Sequence, residues 1–334
     1  MKRAGNLYHR IHDHENLCLA FSKACRGKQG RKDVILFRQD FERNIEALKK
    51  QLRERKVQVG NYHFFHVHDP KKRLICAASF PERVLHHAVM NVCEPVLESY
   101  AISDTYACRK GKGGKMAVER ACQFSRRFGW YLKLDISRYF DSIDHRILME
   151  LVERRFKDKD LLSLLEEILG TYCTRPGKGL PIGNLISQHM ANFYLGFMDH
   201  FIKEVARVRG YVRYMDDFII WGGEKSELKR RLETVSCWLQ ENLALRLKDN
   251  IQLNRCARGI PFLGYRIFPS TVRMGTAGKR RFVEKFKAYE NRCEKGMWSE
   301  AALQRHMEPL VAFVKGAHAR AFRTNVMHRY GVLS

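Results

Sequence analysis

Two adjacent aspartates, set between two apolar runs, constrain this chain more than any other feature. The tetrapeptide Tyr214–Asp217 follows Gly210–Arg213 and precedes Phe218–Trp221. Aromatic and β-branched runs on both sides of a short polar break predict a β-hairpin. Two like charges without a glycine make a poor structural turn, whereas oxygen ligands at a rigid strand end suit Mg²⁺. We therefore interpret the hairpin as a metal site, with an ordinary solvated acidic turn as the alternative.

A third carboxylate ends another apolar stretch, about eighty positions earlier. Trp130–Ile136 is typical of a buried strand, and it places Asp135 at the strand end. Tyr139 is expected in the core, and Asp141 and Asp144 are predicted to cap a helix over 145–156. If the chain holds a metal with three aspartates, the ends of these two apolar stretches must meet.

The charge of the chain points to a polyanionic partner. The 334 residues include 61 Lys and Arg against 36 Asp and Glu, which gives a net charge of +25. Such a surplus suits nucleic acid or an anionic membrane surface. No run approaches the ~20 apolar residues that span a bilayer, and Met1–Asn6 is followed by no apolar signal core. The ten cysteines never form a Cys-x-x-Cys pair, so we expect a cytoplasmic protein with reduced thiols and no membrane partner.

A basic hairpin is predicted nearer the N-terminus. Tyr62–His68 alternates like a strand, Leu74–Ala77 forms a second one, and Lys71, Lys72 and Arg73 lie at the turn. Cations at a hairpin tip can donate hydrogen bonds to a triphosphate. The other segments are predicted to be mainly helical: residues 1–62, two helices within 145–172, one long helix from 177 to about 208, one over 227–242, and the last ~65 residues.

In this order, the motifs resemble those of reverse transcriptases over roughly residues 35–330. Phe80–Arg83, Tyr106–Gly111 and Pro261–Gly264 add further family motifs. The resemblance implies an α+β right-hand polymerase with an antiparallel-sheet palm, helical and hairpin fingers, and a short helical thumb. The implied segments are a basic helical N-terminal extension with fingers (1–62), fingers (63–130), palm (131–150), fingers and palm helices (151–180), palm (181–268) and thumb (269–334).

The resemblance also implies the site. Asp135, Asp216 and Asp217 would be catalytic and would bind two Mg²⁺ ions, together with the backbone carbonyl of Ile136. The substrate contacts implied are Lys71, Lys72 and Arg73 at the triphosphate, Phe140 as a steric gate under the sugar, Ile182, Gly183 and Gln188 at the nascent pair, Met215 at the primer end (or simply packed in the hairpin), and Lys248. Lys248 is a candidate proton donor because Asn250 and Ile251 stand where the family usually has lysine.

One departure narrows the resemblance further. Most reverse transcriptases have Gln before Gly183 and Ser-Pro where this chain has Ser187 and Gln188. The form found here resembles the prokaryotic or phage-encoded enzymes of diversity-generating retroelements, which copy a template RNA into cDNA with errors at adenines. A glutamine could hydrogen-bond the incoming dNTP, whereas Ile182 can only pack, so we expect looser discrimination.

The retroelement resemblance implies a small, basic, pentameric accessory protein as a partner, besides template RNA, primer and dNTPs. Two alternatives remain open. The chain could be a retron or group-II-like reverse transcriptase, or, in another class, a non-catalytic RNA-binding scaffold.

Overall fold

The computed structural model describes residues 2–68 and 72–331, in which helices and short strands alternate along the chain. The helices are α1 (Tyr8–Ile11), α2 (His14–Cys25), α3 (Lys32–Gln39), α4 (Phe41–Arg53), α5 (Phe80–Tyr100), α6 (Gly114–Arg127), α7 (Tyr139–Ser142), α8 (His145–Glu153), α9 (Lys159–Gly170), α10 (Leu185–Tyr194), α11 (Gly196–His200), α12 (Lys225–Leu243), α13 (Thr276–Glu294), α14 (Glu300–Lys315) and α15 (Arg320–Tyr330). The strands are β1 (Tyr62–His68), β2 (Lys72–Ala78), β3 (Trp130–Asp135), β4 (Gly210–Tyr214), β5 (Asp217–Gly222), β6 (Gln252–Arg255), β7 (Ile260–Phe262), β8 (Tyr265–Ile267) and β9 (Val272–Met274).

The chain forms two compact units, each assembled from separate segments. The first unit contains Met1–Ser103, Ile136–Ala206 and Thr234–Lys248. The second unit contains Asp104–Asp135, Arg207–Glu233 and Asp249–Ser334. The first unit therefore holds β1, β2 and most of the helices, and the second holds α6, the remaining strands and the C-terminal helices.

A four-stranded antiparallel sheet organises the second unit, with strand order β4-β5-β3-β6. Its two central strands are almost continuously apolar, and Leu132, Phe218 and Ile220 have no exposed surface. One layer of the core joins α6 to this sheet and to the small sheet β7-β8-β9, with Phe124, Tyr131 and Trp221 among its members. The predicted hairpin is confirmed, because β4 and β5 pair with Tyr214 opposite Asp217.

The C-terminal helices α13, α14 and α15 form a second apolar cluster in this unit. Phe282 and Phe286 of α13 are buried there with Val314 and Val326. The three helices confirm that the last ~65 residues are mainly helical. Within the described parts of the chain, no helix is long and apolar enough to cross a bilayer.

In the first unit, helix α5 is largely buried. Val84, Leu85, Ala88 and Val89 have no exposed surface, and Pro81 lies in the first turn, where the missing N–H has no helical partner to lose. The antiparallel hairpin β1-β2 has the opposite character, because β1 is exposed along nearly all of its length. Of the predicted turn cations, Lys71 lies outside the described residues.

The prediction of one long helix from 177 to about 208 was wrong. Residues 177–184 are not helical, since Gly177, Gly179 and Gly183 all have positive φ and α10 begins only at Leu185. The helical path then breaks into α11 and a π-helical turn over Phe201–Val205.

The capping prediction was half right. Asp144 caps α8, where its carboxylate accepts a 3.2 Å hydrogen bond from the Ile147 N–H. Asp141 caps nothing, because it lies inside the four-residue helix α7. Helix α8 also ends at Glu153, three residues before the predicted end.

Candidate active site

The sheet of the second unit brings the aspartates together. Asp135, the last residue of β3, pairs directly with Asp217, the first residue of β5. Directly opposed residues of an antiparallel ladder lie about 4.5–5.5 Å apart at Cα and point to the same face. Asp216 precedes Asp217 in the turn. The two apolar stretches of the sequence therefore form neighbouring central strands, and the aspartates lie together where β3 ends and β5 begins.

The turn that carries Asp216 is strained and internally braced. Met215 has φ of +57°, a conformation that costs a non-glycine residue about 1–2 kcal/mol. The Arg213 guanidinium, which is only 1% exposed, donates a 3.0 Å hydrogen bond from Nη1 to the Met215 carbonyl. Sequence reasoning treated Arg213 as part of an apolar run, although an arginine inside such a run is itself a signal of a buried role.

The Asp217 carboxyl has a strongly shifted pKa. Burial raises its pKa to about 6, and nearby Asp135 and Asp216 add to the rise while Lys133 opposes it. Lys133 Nζ lies 2.8 Å from Asp217 Oδ1. The approach lacks the alignment of a hydrogen bond, and Oδ1 has no hydrogen-bond partner among the atoms that the structure describes. Asp217 is therefore a half-buried carboxylate whose buried oxygen, Oδ1, is held mainly by one ion pair.

Lys133 was not singled out from the sequence, yet a signal for it exists. It stands inside the apolar strand β3, two residues before Asp135, and side chains two apart on a strand share a face. A lysine on a buried strand beside an aspartate requires a partner, because an unpaired buried charge is costly.

The aspartates offer the oxygen ligands that a divalent cation requires. An under-coordinated buried carboxylate oxygen beside two further carboxylates is the hard oxygen donor set that Mg²⁺ prefers. In the described ranges, however, no three His, Cys, Asp or Glu side chains are arranged as a ready metal site, and Lys133 contacts Asp217 instead. The carboxylate oxygens are suitable ligands for a divalent cation. In the structure as described, Lys133 supplies the positive charge beside Asp217.

The first unit holds most of the other predicted site residues. Ile136 is buried and forms an isolated antiparallel bridge with Leu247, beside Lys248. Phe140 is half-buried in α7, and its carbonyl accepts a 2.8 Å hydrogen bond from the Leu180 N–H. The expectation that Tyr139 is a core residue is confirmed, since it is 3% exposed and its hydroxyl donates to the Ala191 carbonyl.

The loop before α10 is fastened to strand β2. The Cys76 N–H donates a 2.8 Å hydrogen bond to the Ile182 carbonyl, and the Ala78 N–H donates a 3.3 Å bond to Asn184 Oδ1. Gly183 lies so close to β2 that an added Cβ would be 2.8 Å from Ile75 Cγ2. The structure thus brings Ile182 and Gly183 against the strand that begins with Lys72 and Arg73, and it places Gln188 in the first turn of α10.

A cavity of about 1210 Å³ opens beside Gly183 in this unit. Its wall combines aromatic side chains with cations, as grooves for single-stranded nucleic acid do. The lining includes Lys28, Arg31, Tyr62, Phe65, Ile75 and Arg83. Lys28 and Arg31 belong to the basic N-terminal segment, so part of its charge faces a concave surface.

The family model described as "Reverse transcriptase (RNA-dependent DNA polymerase)" matches residues 66–267. Among curated relatives, Protein YkfC of Escherichia coli (strain K12) is 26% identical over 250 residues, which cover 61% of this chain and 65% of YkfC. The group II intron-encoded protein LtrA of Lactococcus lactis subsp. cremoris is 24% identical over 210 residues, which cover 53% of this chain and 35% of LtrA. The chain thus spans less than two thirds of either relative.

Solved structures of telomerase share the fold. Apo telomerase from Candida tropicalis superposes with a TM-score of 0.54 at 10% identity, covering 81% of this chain and 59% of that one. A form truncated from its C-terminal domain gives 0.52 at 14% identity, covering 70% and 60%. At such identity the likeness concerns the fold alone. It confirms the predicted α+β class and the right-hand polymerase architecture.

Proposed function

Because this chain belongs to the reverse transcriptase family, we propose that it is an RNA-directed DNA polymerase that copies a template RNA into cDNA from dNTPs. The observation that carries the proposal is the register of the central sheet, in which Asp135 pairs with Asp217, the residue that follows Asp216 in the chain. Carboxylates gathered at one place are the ligands that nucleotidyl transfer with two metal ions uses. A non-catalytic RNA-binding scaffold has no need of a buried carboxylate group of this kind.

Each residue has a defined role in this proposal. Asp135, Asp216 and Asp217, with the carbonyl of Ile136, would hold two Mg²⁺ ions. When bound, the ions supply charge neutralisation at the triphosphate and a lowered pKa for the primer 3′-hydroxyl. Arg213 braces the turn that carries Asp216, and Lys133 holds the charge of Asp217 in the absence of a cation.

The residues of the first unit are proposed to bind the nucleotide and the template. Lys72 and Arg73, exposed at the start of β2, would bind the triphosphate with Lys71, and Phe140 would exclude a 2′-hydroxyl. Gly183 has no side chain to obstruct the nascent base pair, while Gln188, Lys248 and Met215 would contact nucleotide, leaving group and primer. The basic, aromatic-lined cavity beside Gly183 supports template binding here.

We further propose that the enzyme serves a diversity-generating retroelement and misincorporates opposite template adenine, in mutagenic retrohoming. The support is Ile182, whose backbone is fixed against β2 and whose aliphatic side chain offers no hydrogen bond to a nucleotide. A retron or group-II-like enzyme is the second candidate, favoured by the likeness to LtrA. In the retroelement case, a small basic pentameric protein is the expected partner.

Primer extension on an RNA template with Mg²⁺ tests the enzyme proposal. Asp216→Asn should lower the rate by more than about 100-fold, beyond the loss typical of a residue that only supports a metal ligand. Asp141→Asn is the matched control, because Asp141 is exposed in α7, and it should keep the wild-type rate. A wild-type protein that binds RNA but extends no primer would establish the scaffold instead.

A second readout does not depend on activity. Mg²⁺ should raise the thermal unfolding temperature of the wild type and of Asp141→Asn, since a ligand that binds the folded state stabilises it. It should raise that of Asp216→Asn much less. An equal rise in all three proteins would place the metal elsewhere.

Sequencing of the cDNA tests the subfamily. Errors should concentrate opposite template adenine, and Ile182→Gln should reduce them, whereas Ile182→Leu keeps an aliphatic side chain and should leave them unchanged. Equal error rates at all four template bases would contradict the retroelement assignment, and an unchanged error rate in Ile182→Gln would contradict the role of Ile182.

A further inference from the structure

A second polar cavity, of about 640 Å³, lies within the first unit and shares no lining residue with the cavity beside Gly183. It is built from three segments: residues 5–12, the end of α4 with residues 53–55, and residues 157–160 at the start of α9. Most of this wall lies outside residues 66–267, the part of the chain that matches the family. The family resemblance therefore assigns no role to the cavity.

The N-terminal segment is firmly attached at this place. The Ala4 N–H donates to the Arg155 carbonyl and the Lys157 N–H donates to the Ala4 carbonyl, both at 2.7 Å. The backbone N–H groups of Leu7 and Tyr8 both donate to Asp158 Oδ2, at 2.6 and 2.9 Å. The cavity wall is therefore a tied surface rather than a loose terminus.

The cavity carries an excess of positive charge. Its permanent cations are Arg53, Arg55, Lys157 and Lys159, against two carboxylates, Asp158 and Asp160. Both carboxylates are already engaged: Asp160 forms a 2.6 Å ion pair with Arg55, and Asp158 accepts backbone hydrogen bonds. Among the residues that the structure describes, Arg53, Lys157 and Lys159 pair with no carboxylate. Three cations thus face one concave surface without internal neutralisation.

The concave surface is also elongated. An adjoining cavity of about 910 Å³ shares His9, His12 and Arg53 with the first, and its further lining includes the cations Arg10 and Lys49 and the carboxylates Asp13 and Glu15. Two joined cavities of this size exceed the needs of a single phosphate or nucleotide. Their extent suits a polymer with regularly spaced negative charges, along which several cations can each neutralise one phosphate.

We propose that the joined cavities bind the phosphodiester backbone of nucleic acid and so provide a second contact for the template RNA. The proposal rests on the polymerase function proposed above, which supplies the RNA. The recognised group is the phosphate, with Arg53, Lys157 and Lys159 as its main donors and the rings of His9 and His12 beside the backbone path. Since phosphates carry no sequence information, the contact holds the strand without reading it.

Salt-dependent binding of labelled single-stranded RNA, and of DNA of the same length and sequence, tests the proposal. The variant Arg53→Ala/Lys159→Ala removes two cations from the cavity. The control Arg43→Ala/Lys50→Ala removes two exposed cations from α4 that line neither cavity. Each lost phosphate contact on a single strand lowers the slope of log K against log salt by about 0.7, so the cavity variant should lose about 1.4. The control should keep the wild-type slope.

Comparing RNA with DNA shows which kind of strand supplies the bound phosphates. A reduced slope with both RNA and DNA supports a backbone site open to either strand, and a reduced slope with RNA alone supports a site reserved for the template. Equal slopes in the cavity variant and the control, with both polymers, would overturn the proposal. Unfolding temperatures of both variants should match the wild type, because all four side chains are on the surface.

Photo-crosslinking provides a second, independent measurement. RNA carrying 4-thiouridine should crosslink to peptides that contain residues 5–12 or 53–55, and crosslinks confined to other peptides would contradict the site. The outcome is separable from that of the polymerase proposal. A wild-type protein without primer extension defeats the polymerase assignment, whereas unchanged binding by the cavity variant of an active enzyme defeats only this one.

Discussion

The two hairpins that carry the predicted site residues are built in opposite ways. The β4-β5 hairpin lies in a four-stranded sheet, and five of the six residues of β5 are buried. The β1-β2 hairpin pairs only with itself, and six of the seven residues of β1 are exposed. An isolated two-stranded ribbon is marginally stable in water, whereas a strand between two partners is fixed by neighbours on both sides.

Under the proposed function, this difference would meet two separate demands. Carboxylates that are to hold a metal need closely fixed relative positions, and those of the β4-β5 hairpin lie beside a packed core. Cations that are to close on a triphosphate and release it need a segment that moves at low free energy, and those of the β1-β2 hairpin lie on an exposed ribbon. The described part of the ribbon is fastened at its root, by the bonds of Cys76 to Ile182 and of Ala78 to Asn184, and by Tyr62, whose hydroxyl lies 2.5 Å from Thr171 Oγ1.

The largest effect on stability is expected when one phenylalanine in each hairpin is replaced by alanine. Phe218 in β5 has no exposed surface, whereas Phe64 in β1 is 49% exposed. Phe218→Ala should lower the free energy of unfolding by about 3–5 kcal/mol, because it leaves a cavity in the core. Phe64→Ala should change it by less than about 0.5 kcal/mol. Urea denaturation measures both, and similar losses in the two variants would refute the contrast.

The next effect concerns the fastening of the ribbon at Gly183. With φ of +118° and β2 in close contact, an alanine there is both strained and obstructed by Ile75 and by the Cys76 carbonyl. Gly183→Ala should lose about 3 kcal/mol of unfolding free energy. Gly177→Ala is the matched control, because Gly177 also has positive φ but faces open space, and it should lose about 1 kcal/mol. Equal losses would mean that contact with β2 contributes nothing.

A pH dependence should follow from a buried pair beneath the ribbon. Glu82 Oε1 accepts a hydrogen bond from the Gly60 N–H, just before β1, and His86 Nε2 lies 3.6 Å from the same oxygen. Burial lowers the pKa of His86 to about 3 and raises that of Glu82. Below pH 6.5, His86 is protonated in the unfolded protein but stays neutral in the folded one. Acidification therefore favours unfolding, and the contribution of His86 to the free energy of unfolding falls by about 2 kcal/mol between pH 7 and pH 5.

His86→Gln should therefore lose less unfolding free energy than the wild type on acidification over that interval. Glu82 acts in the opposite direction, since its raised pKa favours the folded state as the pH falls, and it is present in both proteins. His328→Gln, at an exposed position, should behave like the wild type. Parallel pH curves for wild type and His86→Gln would show that His86 does not titrate on unfolding.

The smallest effect is expected in the rigid hairpin, at the lysine beside Asp217. Lys133→Met removes the charge 2.8 Å from Asp217 Oδ1 and should lower the free energy of unfolding by about 1–2 kcal/mol in the absence of divalent metal. Mg²⁺ should reduce that difference, since a bound cation replaces the lost charge. Lys229→Met, at an exposed position in α12, is the control. A Lys133→Met protein as stable as the control would show that Asp217 needs no cationic neighbour.

The sequence allowed the core hairpin to be predicted more closely than the ribbon and its loops. Apolar runs around Tyr214–Asp217 and before Asp135 report burial directly, and strands that end in carboxylates leave few pairings, so the meeting of the aspartates was foreseeable. The loop before α10 was missed, since alternating glycines with positive φ look like the start of a helix until their contacts with β2 are known. Lys133 was missed because its partner, Asp217, lies on the neighbouring strand, and Arg213 was missed because its bond to the Met215 carbonyl depends on the conformation of the turn.

The left-handed backbone at Met215 restricts which side chains can replace it. In a randomised library at this codon, valine and isoleucine should be depleted by folding alone, because β-branched side chains tolerate that conformation worst. Glycine and asparagine should survive. Backbone conformation therefore limits the residues that position 215 tolerates, independently of any selection for activity. Enrichment values measured at this position need to be corrected for that limit.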